Sequence, residues 1–484
     1  MAIEGYLYTH NKRAVSGWVY EAGDPDRPIE LEIVANGSVV DVIRADIYQD
    51  HLERAGKGNG KHGFEYVLPN SRIARGRLQA RPVGKKWFLQ HQEKGVPPEY
   101  SMLRHPTLYG LPQPDNGFSE VPPVTDARAE VKLTERLLKA FYYTAKKNRN
   151  ISRPDDIWTT LENSVFADFY AIVRKRDAQA LANYMREMFA LGITHGTYQG
   201  HLATATLRIS KQVRVIPAAA AVDYLASLAE FVGALRVEIA EQHGVYGENL
   251  FRDPDDLAQL IRAVTGVPVE TPNVAGHKFG LKTRDGFINP SDIRAYYAAV
   301  RLQQLLHGID KPRVCEIGGG IGTTAYYCHR FGIRDYTIID LPALSLVQGY
   351  YLIRALPGER IILAGERDWG GPAIRILPTW AFGKRKFSIL YNQDSFPEMH
   401  LEHSVAYLSK AKKLTTLLLS INQESGAIQS LTSVQPSVPE IVAKAGGWRR
   451  VHRFPHWIRS GYVEELYEVT ESGAVLDRVR KLFG

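Results

Sequence analysis

The spacing of apolar and polar residues changes twice along the chain. Over residues 1–100, short runs of period-two alternation are separated by turn residues, as in Ser16-Gly-Trp-Val-Tyr, Ile29-Glu-Leu-Glu-Ile-Val, Ser38-Val-Val-Asp-Val-Ile and Gly63-Phe-Glu-Tyr-Val-Leu. Asn36-Gly37 lies between two such runs and is a preferred two-residue hairpin turn, so this region is predicted to be a β-sandwich. Residues 101–125 hold Pro106, Pro112, Pro114, Pro122 and Pro123 and read as an extended linker. Over 126–305 the period becomes helical. Val131, Leu133, Leu137, Leu138 and Phe141 mark one face, and residues 157–174 and 178–191 repeat the spacing. Asn289-Pro290 opens another helix, with the asparagine as N-cap and the proline at the first helical position.

From 306 to 484 strands alternate with helices. Strands are predicted at Val314–Ile317, Tyr336–Ile339, Ile361–Leu363, Ser388–Tyr391 and Thr416–Ile421, followed by a late pair near 448–454 and 464–469. Five parallel strands with an antiparallel ending match the methyltransferase variant of the doubly wound, Rossmann-like sheet. The expected chain is therefore multidomain: an N-terminal β-sandwich, a helical middle region covering the acceptor side, and a C-terminal α/β domain.

The first of these strands runs into Glu316-Ile-Gly-Gly-Gly-Ile-Gly322, and the second ends in Asp340. Gly318, Gly320 and Gly322 let the backbone turn sharply and approach a ligand with no Cβ in the way. A dinucleotide fingerprint would need glycine at 323, where this chain has Thr323, and a carboxylate at 316 would repel a pyrophosphate. S-adenosylmethionine (SAM) carries no phosphate, and its ammonium and sulfonium are cationic, so an acid here favours it. Asp340 is placed to accept from a ribose diol, with Leu341 beside it. The phosphate-binding P-loop is excluded, since no Gly-Lys-Ser/Thr ends the turn. Ligands on such sheets bind beyond the carboxyl ends of the strands. That rule adds Glu366 and Asp368 after the third strand, toward an adenine amine, and Asn392 through Ser395 after the fourth.

Composition narrows the setting. The chain has 484 residues, 44% hydrophobic and 23% charged, which suits two to four folded domains. Cys315 and Cys328 are its two cysteines, too few for a disulfide framework, which points to a reducing, cytoplasmic compartment. No signal peptide is visible at the N-terminus. The most apolar segment, 216–239, contains Asp223, Glu230 and Arg236 and reads as a buried helix rather than a membrane span. The net charge of +8 is dispersed; it leaves a peripheral membrane contact open, and no RNA-binding signature or zinc spacing accompanies it. A homo-oligomer is also left open.

Two stretches resemble known families. Residues Ser16-Gly-Trp18, Pro28-Ile-Glu-Leu-Glu32, Ala35-Asn-Gly37 and the glycine-rich run from Gly56 to Phe64 are similar to a small β-domain attached to bacterial glycosyltransferases, which implies a carbohydrate context. Over about 265–470 the chain resembles the sugar O-methyltransferases of bacterial polysaccharide gene clusters. The likeness lies in Glu316–Gly322, Ile339-Asp-Leu-Pro342, Tyr350-Tyr-Leu352, Asn392-Gln-Asp-Ser-Phe-Pro-Glu-Met399, Asn422 and Gly461-Tyr-Val-Glu464. It implies methylation of a sugar hydroxyl on a glycan or its precursor.

A sugar hydroxyl is a poor nucleophile until a base takes its proton. The run Asp394–His403 supplies the acids and imidazoles: Glu398 is the preferred base, with Asp394 and His400 next. If the chain is helical from 398, Glu398 and Glu402 share a face, as do Met399 and His403. Asp394, Glu398 and Glu424 would be the oxygen ligands if Mg²⁺ activated the hydroxyl instead, although the spacing does not require a metal. Trp18, Trp87, Trp369, Trp380 and Trp457 are candidate sugar platforms, with core packing the commoner fate of a tryptophan. The loop 272–280, with His277 and Lys278, is a candidate lid. Two other readings stay open: a SAM methyltransferase with a phosphate, carboxyl or small natural-product acceptor, and a non-catalytic glycan-binding protein.

Overall fold

The computed structural model describes residues 3–9, 14–35, 37–49, 52–53, 55–68, 78–92, 103–105, 118–121, 127–147, 161, 164–209, 214–237, 253–424, 428–430 and 433–470. Near the N-terminus, strands 47–48, 61–67, 14–21, 3–9 and 90–92 form one sheet in that spatial order, and 38–45, 29–35 and 79–82 form another. Leu7, Val15, Val19 and Phe64 of the first share a core with Leu31, Ile33 and Ala80 of the second. Gly37, at φ 78°, sits in the turn that pairs Ala35 with Ser38; Asn36 lies outside the described residues. Trp18 is buried, edge-on to Tyr6 at 5.5 Å with the Lys57 ammonium 4.9 Å from its ring, so it is a packing residue. Trp87 is exposed.

The C-terminal sheet consists of β1 (Arg313–Ile317), β2 (Asp335–Asp340), β3 (Ile361–Leu363), β4 (Ile374–Pro378), β5 (Ile389–Gln393), β6 (Leu417–Gln423), β7 (Trp448–Pro455) and β8 (Tyr462–Val469). Their spatial order is β3-β4-β2-β1-β5-β6-β8-β7. The first six run parallel, and β8 is antiparallel to both its neighbours. Strand order reverses between β1 and β5, which opens the crevice where such sheets bind ligands. Period-two alternation divides the side chains between two cores. Val314, Ile338, Leu417, Leu419 and Ile421 face one, and Cys315, Ile317, Ile339 and Leu418 face the other.

Strand β4 was not predicted. Its second residue is Arg375, fully buried, which breaks the apolar run that marks a central parallel strand. The guanidinium is tolerated because it donates to Asp335 at 2.6 Å and Asp368 at 2.7 Å. These bonds also correct the placement of Asp368, whose carboxylate is held by Arg375, Arg360 and Arg385 and lowered to about 2, first by the Arg375 hydrogen bond. Glu366 is held likewise by Arg136. With β4 between β3 and β2, it is the end of β4, Thr379-Trp380, that reaches the ligand crevice.

Helices α1 (Ala127–Lys147), α2 (Val215–Phe231) and α3 (Pro290–Leu305) pack on the first of the two faces. Leu137 and Phe141 of α1, Leu225 of α2 and Tyr297 of α3 belong to the same core as Ile338 and Tyr350, so the middle region and the sheet have a continuous interior. Helix α3 begins as expected: Asn289 Oδ1 accepts from the Ser291 amide and Pro290 occupies the first turn. On α1, the buried Glu130 accepts from Arg186, from Arg354 at 3.0 Å and from the Tyr350 hydroxyl at 3.2 Å. The apolar segment predicted to be a buried helix over 216–239 is helical as α2 only as far as Phe231, and among the described residues no helix is long and apolar enough to cross a membrane.

The acids of α2 have a structural task. His105 lies between Asp223 (2.8 Å) and Glu230 (3.0 Å), and the Arg104 guanidinium pairs with Glu230 at 2.9 Å while stacking 4.0 Å from the Trp457 ring. Burial alone would lower the imidazole pKa, but the two carboxylates outweigh it and raise it to about 9. A folded pKa above the ordinary 6.5 stabilises fully below pH 6.5 and is lost as pH climbs through 9. The difference is worth on the order of 3 kcal/mol. The thermal midpoint is therefore expected to fall between pH 6.5 and 9, and a His105→Gln variant to lack this fall. Equal slopes in parent and variant would refute the role.

Candidate active site

Helices α4 (Thr323–Arg330) and α5 (Pro342–Ala355) follow β1 and β2, and α6 (Leu401–Ala411) follows β5 after the one-turn helix Ser395–Glu398. The ends of β1, β2, β4 and β5 open on a cavity of about 410 Å³, in the range of small-molecule sites, about 300–1,000 Å³. Its lining includes Glu316, Gly318, Gly319, Gly320, Asp340, Leu341, Asp394 and Glu398.

The glycine turn is tied down by its own neighbours. Gly318 N donates to Ile339 O, Gly319 N donates to Asp340 Oδ2 at 2.8 Å, and Gln348 of α5 bridges Asp340 Oδ2 and Gly320 O. Gly318, at φ 72°, has no room for a side chain: a Cβ would stand 2.3 Å from Ser395 Oγ. Gly322, at φ 97°, begins α4 and packs on Leu352; it does not line the cavity. Asn392 is also behind the wall, fully buried, where it donates to Ile317 O and Ser395 Oγ and holds β5 against the turn.

The acids differ in how they are held. Asp340 accepts from Gly319 N, Leu341 N (2.8 Å) and Gln348; burial nevertheless pushes it up to about 6. Glu316 is buried, accepts from the Tyr336 hydroxyl at 3.0 Å, and is pushed up to about 8 by burial, with Asp340 adding to the rise. Asp394 has the positive φ of 64° at the end of β5 and makes two bonds to Arg459, at 2.9 and 3.1 Å. Arg459 is set by its turn: His456 Nδ1 accepts from the Arg459 amide, and burial lowers that imidazole to about 3. Glu398 has no hydrogen-bond or ion-pair partner among the described residues. Burial and then the Asp394 charge raise it to about 7, against the pull of Arg459.

Two expectations for this run are corrected. Met399 is extended (ψ 154°) and His400 caps α6, so no single helix places Glu398 and Glu402 on one face. His400 itself does not line the cavity, whereas Met399 and His403 do. Nor do Asp394, Glu398 and Glu424 converge: Glu424 is paired with Arg453, and among the described residues no group of three His, Cys, Asp or Glu side chains is arranged to hold a metal ion.

Among the candidate lid residues, Lys278 is buried and donates to Pro272 O, and His277 pairs with Glu120 and Glu187. Trp380 lines the cavity; Trp369 is 72% exposed under Arg367; Trp457 packs against the core. The sequence reading missed the contributions of the middle region, Gly196–Tyr198, Ser291 and Arg294, and those of Thr379, Tyr407 and Lys410. Ser291 and Arg294 had a legible neighbour, the Asn289-Pro290 start of their helix.

No family model matches the sequence. A search of curated proteins also gives no match. Among solved structures, the chain is similar to the CcbJ methyltransferase of Streptomyces caelestis (13% identity over 36% of this chain and 89% of that one, TM-score 0.28). It is also similar to the glycopeptide N-methyltransferase MtfA complexed with sinefungin (11%, 36% and 94%, TM-score 0.28). A third is the magnesium protoporphyrin IX methyltransferase of Synechocystis with bound SAM (14%, 37% and 83%, TM-score 0.26). Likenesses at these TM-scores carry no functional weight.

Proposed function

We propose that the chain is a SAM-dependent O-methyltransferase that methylates a sugar hydroxyl of a bacterial glycan or glycan precursor. One observation carries the reading: an acid-led glycine turn and an unpaired, high-pKa carboxylate, Glu398, open on the same cavity at the switch point of the sheet. The residues present suit SAM. Glu316 is an acid facing the cavity, raised in pKa by burial and by the Asp340 charge, and a pyrophosphate there would meet both Glu316 and Asp340. Glu316 and the backbone of Gly318–Gly320 would hold the methionine part, Asp340 the ribose, and Leu341, Thr379, Trp380 and Phe382 the adenine.

When bound, SAM supplies a methyl group on a cationic sulfur. The rest falls to the chain. Glu398, as carboxylate, takes the proton of the acceptor hydroxyl. The Asp394–Arg459 pair keeps the other acid of this wall engaged, so that Glu398 is the free one. Leu344, Met399 and Tyr407 supply apolar wall and keep water from competing as acceptor. The sugar acceptor is favoured by the resemblance carried by the Asp-Leu-Pro and Asp-Ser-Phe-Pro-Glu-Met blocks.

The test is titration with S-adenosylhomocysteine (SAH). In the free protein Glu316 is protonated below about 8, and pairing with the ligand ammonium requires its ionised form. Affinity is therefore expected to rise with pH toward 8, with proton release at pH 7 visible as a buffer-dependent calorimetric enthalpy. A Glu316→Gln variant should show neither. Absence of SAH binding would refute the function; binding with no proton release would refute only the role of Glu316. Transfer of labelled methyl groups to envelope saccharides then tests the acceptor.

A further inference from the structure

The cavity has a cation, Arg294, that no carboxylate among the described residues pairs with. Arg294 projects from α3 into the lining beside Ser291 and Ala295. Its Nη2 donates to Ser291 Oγ at 2.5 Å, and its Nε is shielded from solvent with no hydrogen-bond partner. No carboxylate of the described residues stands within ion-pair distance of it. Other arginines set into this interior are matched: Arg375 by Asp335 and Asp368, Arg301 by Glu464, Arg354 and Arg186 by Glu130, and Arg459 by Asp394. A guanidinium withdrawn from water without a counter-charge is costly, and a site that keeps one has its partner supplied from outside. The planar fork pairs bidentately with a carboxylate or phosphate, and a neutral sugar hydroxyl would leave its charge unmet.

The charged and phenolic groups whose fields act on Arg294 are Arg459, Asp394, Tyr224 and Tyr462. Asp394 lines the cavity with Glu398, and the next residue, Ser395, abuts Gly318 of the glycine turn. The Asp394 carboxylate is engaged by Arg459, which lies outside the lining, so it is not a counter-ion for Arg294. We infer that Arg294 is the receptor for an oxyanion on the acceptor, so that the molecule methylated carries a carboxylate or phosphate near the reacting hydroxyl, as in a uronic acid or a sugar phosphate. The inference rests on the methyltransferase reading and names the substrate class of that site. The same chemistry has a second source, the methionine carboxylate of SAM, which the test separates.

The full-length protein is saturated with SAH and titrated calorimetrically with D-glucuronate, glucose 6-phosphate and D-glucose, in parent, Arg294→Gln and Arg294→Lys. In the parent, at least one of the two anions is expected to bind about 10- to 150-fold more tightly than glucose, the weight of hydrogen bonds to a charged group. Arg294→Gln should abolish that preference and Arg294→Lys should keep part of it, with SAH affinity in both within about threefold of the parent. A parent that binds neither anion better than glucose overturns the inference, as does a preference that survives in Arg294→Gln. So does a selective loss of SAH affinity in Arg294→Gln with 5′-methylthioadenosine, which lacks the carboxylate, bound as before; that result assigns Arg294 to the cofactor. A parent that fails to bind SAH at all refutes the underlying function, a different failure.

Discussion

Glu398→Gln is expected to bind SAH as the parent does and to lose methyl transfer by about 10²–10⁴-fold, the contribution of a positioned general base. The side chain keeps its size and place, so only the ability to take a proton is removed. The parent should show a rate that climbs with pH and levels off above about 7, because the carboxylate is the active form and burial has raised it to that value. Glutamine should abolish this limb. Asp394→Asn provides an internal check on the sign. It removes the negative charge that helps to raise Glu398 and releases Arg459, which pulls Glu398 down, so the limb should move to lower pH. An unaltered rate in Glu398→Gln would exclude it as the base. A limb that stays in place in Asp394→Asn would show that another group sets the profile. Both measurements use labelled SAM with the saccharide that accepts the methyl group.

What was legible in the sequence was what depends on nearby residues. The strand leading into Glu316, the three glycines and Asp340 lie within 28 residues, and they form the turn with its positive φ angles; Glu316, Gly318, Gly320 and Asp340 line the cavity and Gly322 does not. The N-cap of α3 needed only Asn289 and Pro290. What escaped depended on distant charge pairs. β4 is invisible as a buried strand until Asp335 and Asp368 are known to neutralise Arg375, and the same pairing removes Asp368 from the adenine side. Glu398 and Asp394 read alike in sequence. They separate only because Arg459, 65 residues on, engages Asp394 and leaves Glu398 free. Arg294 is the reverse case, notable for a partner it lacks, and no local pattern reports a missing partner. His400 and His403 exchanged places because the chain is extended at Met399, a break that the helical spacing does not announce.

Asp340→Ala is expected to lower SAH affinity about 100-fold or more while the protein remains folded. Two losses combine. The carboxylate orders the turn by accepting from Gly319 N, Leu341 N and Gln348 Nε2, and removing it leaves these donors without their acceptor, at about 1–3 kcal/mol for a group left unsatisfied. It also deletes the acceptor at the cavity wall that would meet a ribose diol. Gln348→Leu separates the two. Gln348 does not line the cavity, yet it ties Asp340 to Gly320 O, so its loss loosens the turn and leaves the carboxylate available to ligand. Its expected effect is about tenfold, the net worth of one or two such hydrogen bonds. Equal weakening in the two variants would mean that Asp340 acts only as a brace. Parent-like SAH affinity in Asp340→Ala, with an unchanged near-ultraviolet circular dichroism spectrum, would remove the ribose assignment altogether. The fold should survive because burial already disfavours this carboxylate, raising it to about 6, so alanine relieves a desolvation penalty as it deletes the bonds.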